Sequence, residues 1–114
     1  MSPEGLRKAA LGLPGASLVV QWGDACVYKV GEKMFAVSDA AGRSLSVKVS
    51  DIAYEALTAS GQARPAPYLA RAKWVQFEDL AALDDAEVAD WLRTAHALVA
   101  AKLTRAARRE LGLA

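Results

Sequence analysis

Two neighbouring stretches in the first half of the chain have hydrophobic patterns that predict β-strands. Residues 26–37 read CVYKVGEKMFAV, which places two short apolar runs around a glycine, and residues 44–49 read SLSVKV, in which polar and apolar residues alternate. Alternation, and short apolar runs on either side of a turn residue, are typical of strands in a half-buried sheet. The pattern predicts three antiparallel strands with one apolar face, which consists of Cys26, Tyr28, Val30, Phe35, Val37, Leu45, Val47 and Val49.

A glycine sets the predicted register of these strands. Gly31 suits the first central position of a two-residue type II′ turn, which pairs Val30 with Lys33. Tyr28 then opposes Phe35 on the apolar face. A solvated surface is the ordinary explanation for the opposite, polar face, and a binding surface is the alternative. The predicted register places three residues side by side across the strands of this polar face: Lys29, Met34 and Lys48.

Apolar residues at helical spacing predict three helices. Ser2, Ser50 and Asp84 each offer a side-chain oxygen that can cap a helix N-terminus. Pro14 and Gly61 mark the ends of the first two helices. The third helix is the longest, and its apolar stripe runs from residue 88 to residue 103.

The predicted fold class is α+β, a single antiparallel β-sheet with helices packed on one face. A fourth strand is expected at 73–77, which makes the element order α-β-β-β-α-β-α. Residues 17–22 are either a strand or an extended lead-in. A chain of 114 residues is expected to form one domain, with its core at about 6–103 and a basic C-terminal tail at 104–114.

Candidate catalytic and metal-binding residues are sparse. A single His and a single Cys cannot supply the usual ligands of a zinc site. The acidic residues at 78–90 are better explained by a helix N-terminus and a solvated face. His96 lies beside the apolar stripe and has no nucleophile or acid at a suggestive spacing. The sequence contains no HExxH or phosphate-binding loop, so we predict no enzyme activity, no metal and no cofactor.

Composition indicates the compartment and the distribution of charge. One cysteine, no apolar run long enough to span a membrane and no signal peptide favour the cytoplasm. The net charge is only +1, but the charges are separated along the chain. Basic residues outnumber acidic ones between residues 29 and 73, whereas every charged residue at 78–90 is acidic. The candidate nucleic-acid-binding residues are Lys29, Lys33, Arg43, Lys48, Arg64, Arg71 and Lys73, with Trp74 as a neighbouring aromatic.

Short motifs in a characteristic order resemble the MmcQ/YjbR family of small bacterial proteins. The resemblance runs over about residues 6–103, and it implies a CyaY-like α/β fold and a DNA-binding function. The family often has a tyrosine in the last helix where this chain has His96. The motifs are LPG at 13–15, WGD at 22–24, VYKVGEKMFA at 27–36, LSVK at 45–48, RPAPY at 64–68, KWV at 73–75 and LV at 98–99.

Three functions are compatible with the sequence. The first is weak, largely sequence-independent DNA binding by the basic sheet face, with the turns at 31–32 and 39–43 as wings beside the duplex. The second is a protein–protein adaptor that uses Trp74 or the long C-terminal helix. The third is a small-molecule binder or enzyme. A monomer is expected in each case.

Overall fold

The computed structural model describes residues 1–113, which form six strands and four α-helices. The strands are β1 (Ala16–Gln21), β2 (Ala25–Val30), β3 (Lys33–Ser38), β4 (Leu45–Lys48), β5 (Arg64–Pro65) and β6 (Trp74–Phe77). The helices are α1 (Pro3–Leu11), α2 (Asp51–Ser60), α3 (Asp85–Ala100) and α4 (Arg105–Glu110). All strands belong to one antiparallel sheet in the order β1-β2-β3-β4-β6-β5.

This architecture confirms the predicted α+β class, with helices on one face of a single antiparallel sheet. The predicted element order lacked two strands, β1 and β5, and the short helix α4 within the predicted tail. Residues 16–21, which the pattern left open, form an edge strand with six paired residues. The other edge strand, β5, is too short to show any alternation, and Pro65 suits an edge because it lacks a backbone N–H.

The predicted helix caps are confirmed. The Ser2 and Ser50 hydroxyl oxygens accept from backbone N–H groups in the first turns of α1 and α2, at 3.0 and 3.1 Å. The Asp84 carboxylate accepts from the Glu87 N–H at 3.2 Å. Gly61 ends α2 in the left-handed conformation, with φ of 77°. Local side-chain chemistry therefore positions these three helices.

The C-terminal tail folds back on the sheet through residue 113, and residue 114 lies outside the described residues. Thr104 caps α4 by accepting from the Ala107 N–H at 3.0 Å. Leu103 and Leu111 reach the β2–β3 turn, where a Cβ on Gly31 would lie 3.3 Å from Leu111 Cδ1. Gly31 has φ of 62° and occupies the first position of this two-residue turn, as predicted.

A β-bulge in β3 alters the predicted register. Lys29 pairs with Met34, but Tyr28 pairs with Ala36, so Phe35 is an extra residue on β3. Phe35 and Ala36 are both fully buried against the helices. From this point on, each β3 side chain lies on the face opposite to the predicted one.

The prediction that Val37 belongs to the core is therefore wrong. Val37 pairs with Val27 and Ser46 on the face away from the helices, where it is half-buried. Ser38, predicted to be on that face, is buried opposite Cys26 and Leu45. The other predicted core residues are buried as expected, except that Cys26 is only partly buried.

We call the face of the sheet away from the helices the outer face. Paired positions share a face, so the register defines its members across all six strands. They are Ser17, Val19, Gln21, Ala25, Val27, Lys29, Met34, Val37, Ser46, Lys48, Arg64, Trp74 and Gln76.

Candidate nucleic-acid interface

A groove of about 390 Å³ crosses the outer face. One wall is Trp22, which follows β1, and the other is the segment 67–69, which follows β5. Because β1 and β5 are the two edges of the sheet, these walls come from opposite sides. The floor consists of outer-face residues from the three central strands, Met34, Val37, Ser46 and Gln76.

The two aromatic side chains of the walls are exposed. Trp22 has a relative exposure of 62% and Tyr68 of 104%. Their backbones are left-handed, with φ of 53° for Trp22 and 67° for Tyr68. A non-glycine residue pays roughly 1–2 kcal/mol for that conformation. The chain therefore places two large rings in solvent at an energetic cost, which is more common at functional sites than elsewhere.

The floor of the groove carries a chain of hydrogen bonds. Arg64 donates from Nε and Nη2 to the Gln76 Oε1 atom, at 2.9 and 2.6 Å. Gln76 Nε2 in turn donates to the Ser46 hydroxyl oxygen at 3.4 Å. Since the guanidinium can only donate, it fixes the amide with its oxygen toward Arg64 and its NH₂ group toward Ser46.

Three of the predicted basic residues lie on the outer face. Lys29 is half-buried beside Met34, and Arg64 pairs with Glu78 at 3.0 Å between Nη1 and Oε1. Lys48 lies opposite Trp74, and its Nζ donates to the Ala72 carbonyl oxygen.

The pKa of Lys48 is lowered from its usual 10.5. Desolvation is the main cause, since burial disfavours the charged form of the amine. The positive charges of Lys102 and Lys73 act in the same direction, and the negative charge of Asp51 opposes them.

The other predicted basic residues lie elsewhere. Lys33 pairs with core residue Val30 and lines a cavity beside α4. Lys73 places its Nζ 4.7 Å from the centre of the Tyr54 ring of α2. Arg71 is exposed on a 3₁₀ turn at Ala70–Ala72, and Arg43 is exposed in the β3–β4 loop. The structure therefore does not gather all of the candidate cations on one surface.

The two turns predicted to act as wings are held against the helical layer. The turn at 31–32 contacts Leu103 and Leu111, and a Cβ on Gly42 would lie 2.6 Å from Cγ of Pro3 in α1. The turns also lie at opposite ends of β3. This placement does not favour a pair of wings beside a duplex on the outer face.

Trp74 is not available as a surface anchor. It is on the outer face but only 4% exposed, because the segment after β5 folds back over this part of the sheet. Ala66 N donates to the Trp74 carbonyl at 3.0 Å, and Trp74 N donates to the Leu69 carbonyl at 3.3 Å. Within residues 1–113, α3 has no exposed large apolar side chain either. Neither of the two contact sites predicted for an adaptor therefore presents an exposed large apolar side chain.

His96 is a packing residue. Its ring is 8% exposed and lies edge-on to Phe35, with ring centroids 5.4 Å apart. Its Nε2 atom is 2.7 Å from the Pro14 carbonyl oxygen, and because a carbonyl only accepts, Nε2 carries the proton.

No group of three or more His, Cys, Asp and Glu residues within 1–113 is arranged to hold a metal ion. No helix in the same range is long and apolar enough to cross a membrane.

The YjbR family model matches residues 11–98. The chain belongs to the YjbR family. The match spans the central part of the fold, from the end of α1 into α3, and confirms the resemblance noted in the sequence.

A solved structure supports the same assignment for this YjbR protein. It is similar to the crystal structure of Deinococcus radiodurans protein DR2400, described by the family-model domain DUF419. The TM-score is 0.86 and the sequence identity 27%, with 99% of this chain and 89% of that chain covered. No curated protein matches this sequence with significant similarity.

Proposed function

We propose that this YjbR protein binds nucleic acid through its outer face. The supporting observation is the charge of that face: its strand positions include Lys29, Lys48 and Arg64 but neither Asp nor Glu. Nucleic-acid backbones carry dense negative charge, so a surface whose strand positions carry cations and no carboxylate suits them. Of the six acidic residues at 78–90, four belong to the N-terminus of α3 in the helical layer, as its cap or within its first two turns, and the other two, Glu78 and Asp79, follow β6.

The binding is expected to be weak and largely independent of sequence. Three outer-face cations, one of which also pairs with Glu78, provide few phosphate contacts. Such binding typically has a Kd on the order of 10⁻⁴ to 10⁻⁶ M at physiological salt. α3 buries one face in the core and begins with acidic residues, so it does not resemble a recognition helix. The proposal includes a bacterial cytoplasmic setting and a non-enzymatic role, without a cofactor.

A protein partner is the second candidate. The observation that favours it is the apolar part of the groove, since Trp22 is 62% exposed, Tyr68 is fully exposed, and both line the groove. Exposed apolar patches often mark protein interfaces. An adaptor function would therefore use the groove rather than Trp74 or α3.

Charge reversal on the outer face tests the nucleic-acid proposal. The Lys29→Glu, Lys48→Glu double variant is compared with Lys8→Glu, Arg109→Glu, which changes the net charge equally at exposed positions of α1 and α4. Binding of labelled DNA is measured at about 50 and about 200 mM salt. We expect the outer-face variant to lose roughly tenfold or more in affinity at low salt and to show a shallower salt dependence.

Two results would overturn the proposal. One is a parent protein that binds neither single-stranded nor duplex DNA at low salt. The other is equal binding by the two double variants, provided that circular dichroism shows both to be folded. Because Lys48 also bonds to the Ala72 carbonyl, the single variant Lys29→Glu serves as the outer-face variant if the double variant is unfolded.

A further inference from the structure

We propose that the groove holds an unpaired base, so that the protein prefers single-stranded nucleic acid to duplex. This inference rests on the proposed function and specifies the ligand of the same surface. The walls provide two exposed aromatic rings, Trp22 and Tyr68, on opposite sides of a floor that combines two apolar and two polar side chains. Aromatic side chains bind single strands by stacking on bases, whose faces are covered by neighbouring bases in a duplex.

The dimensions and the polar groups of the groove suit a base. Its volume of about 390 Å³ lies within the usual range for pockets that hold small organic groups. The Gln76 amide carries two N–H donors, of which one is directed to Ser46. The second N–H and the Ser46 hydroxyl proton have no partner within residues 1–113, so both can bond to the edge of a base. The orientation of the Gln76 amide is set by Arg64, which donates to the amide oxygen.

Charge favours a nucleic acid over an apolar peptide as the occupant. Lys29 adjoins the floor residue Met34, and Arg64 adjoins the floor residue Gln76. These cations lie near the groove where the phosphates of a strand with one inserted base would pass. Among the acidic residues beside these elements, Glu78 pairs with Arg64, and Asp24 is two residues after Trp22. Neither residue lines the groove.

The test compares oligothymidine of about 12 nucleotides with a blunt duplex of the same length, by fluorescence anisotropy at about 50 mM salt. The variants are Trp22→Ala and Tyr68→Ala. Trp22→Phe and Tyr68→Phe keep an aromatic ring, and Ile52→Ala is the matched control, because Ile52 is 84% exposed on α2, away from the groove.

We expect the single strand to bind roughly tenfold or more tightly than the duplex. Each alanine variant should weaken single-strand binding by roughly 5- to 100-fold, the range for loss of one base–aromatic stack. Duplex binding should be unchanged, and the phenylalanine variants and Ile52→Ala should retain most of the parent affinity. Tryptophan fluorescence gives an independent readout, since a stacked base should quench Trp22 in the parent and have little effect in Trp22→Phe.

The outcomes separate this inference from the proposed function. Equal binding of single strand and duplex, unaffected by either alanine variant, would overturn the base-binding groove and leave backbone binding in place. Absence of binding to both probes would overturn both proposals. Tyr68→Ala is the decisive variant, because the fully exposed ring contributes no burial and its removal should not unfold the protein.

Discussion

Trp22 and Tyr68 follow opposite edge strands of the sheet, line the same groove, and both have a left-handed backbone. Glycine adopts this conformation without the steric penalty that a side chain imposes. Burial of the rings does not offset this penalty, because both rings are mostly exposed. The two residues therefore lower the stability of the fold at these positions, which is expected for residues that serve binding.

Replacing Tyr68 by glycine should stabilise the fold. The substitution removes a left-handed penalty of roughly 1–2 kcal/mol, which the greater freedom of glycine in the unfolded chain offsets by roughly 0.4–1 kcal/mol. We expect the free energy of unfolding in urea to rise by about 0.5–1 kcal/mol. Single-strand binding should fall in the same variant, so stability and binding change in opposite directions.

The control for this experiment is Tyr68→Ala, which removes the ring but keeps the backbone penalty. Its stability should remain close to that of the parent, because Tyr68 is fully exposed. A glycine variant that is less stable than the alanine variant would show that the backbone at this position is not strained.

The bulge in β3 predicts different costs for the same substitution at two valines. Val47→Thr places a hydroxyl in the core, where Val47 is fully buried, and should cost roughly 1–3 kcal/mol of unfolding free energy. Val37→Thr places it on the half-buried outer face, where water can reach it, and should cost less than about 1 kcal/mol. Urea denaturation of both variants measures the difference. Equal losses would place Val37 in the core and contradict the observed register.

Lys48 should give the protein a pH dependence at alkaline pH. Its pKa is lowered by burial and by Lys102 and Lys73, so the unfolded chain binds more protons than the folded chain below pH 10.5. The free energy of unfolding contributed by this group therefore rises as the pH increases from the folded pKa toward 10.5.

The comparison is with Lys48→Met, which keeps most of the stem and removes the charge. As the pH rises from neutral toward 10.5, the parent should gain stability relative to this variant. Tyr28, whose pKa is raised by burial, reduces stability above pH 10.0 in both proteins and so cancels in the difference. A constant difference across this range would show that Lys48 has an ordinary pKa.

Features that depend on neighbouring residues could be predicted from the sequence. Gly31 determines a turn because its φ of 62° is accessible at no steric cost, and Ser2, Ser50 and Asp84 cap helices through groups three residues away. These preferences for a turn or a helix cap depend on the local sequence, so they hold in any fold that contains the same turn and helices.

The bulge and the groove could not be predicted in the same way. Residues 34–37 read MFAV and are all apolar, so this run fits a regular strand and a bulged one equally, and only the packing of Phe35 and Ala36 against the helices distinguishes the two. Trp22 and Tyr68 meet because β1 and β5 lie at opposite edges of the sheet, and β5 has only two residues. Their motifs were visible, but their proximity depends on the completed sheet.

The groove has a floor of strands and walls of loops. Met34, Val37, Ser46 and Gln76 are fixed by the hydrogen-bonded ladder, whereas Trp22 and the segment 67–69 lie outside it. Loops accept substitutions and insertions that strands do not. New walls can therefore arise during evolution, or be grafted by an engineer, while the hydrophobic core on the other face stays intact. If the groove binds as proposed, the fold supplies a constant frame and the two short loops determine which ligand it accepts.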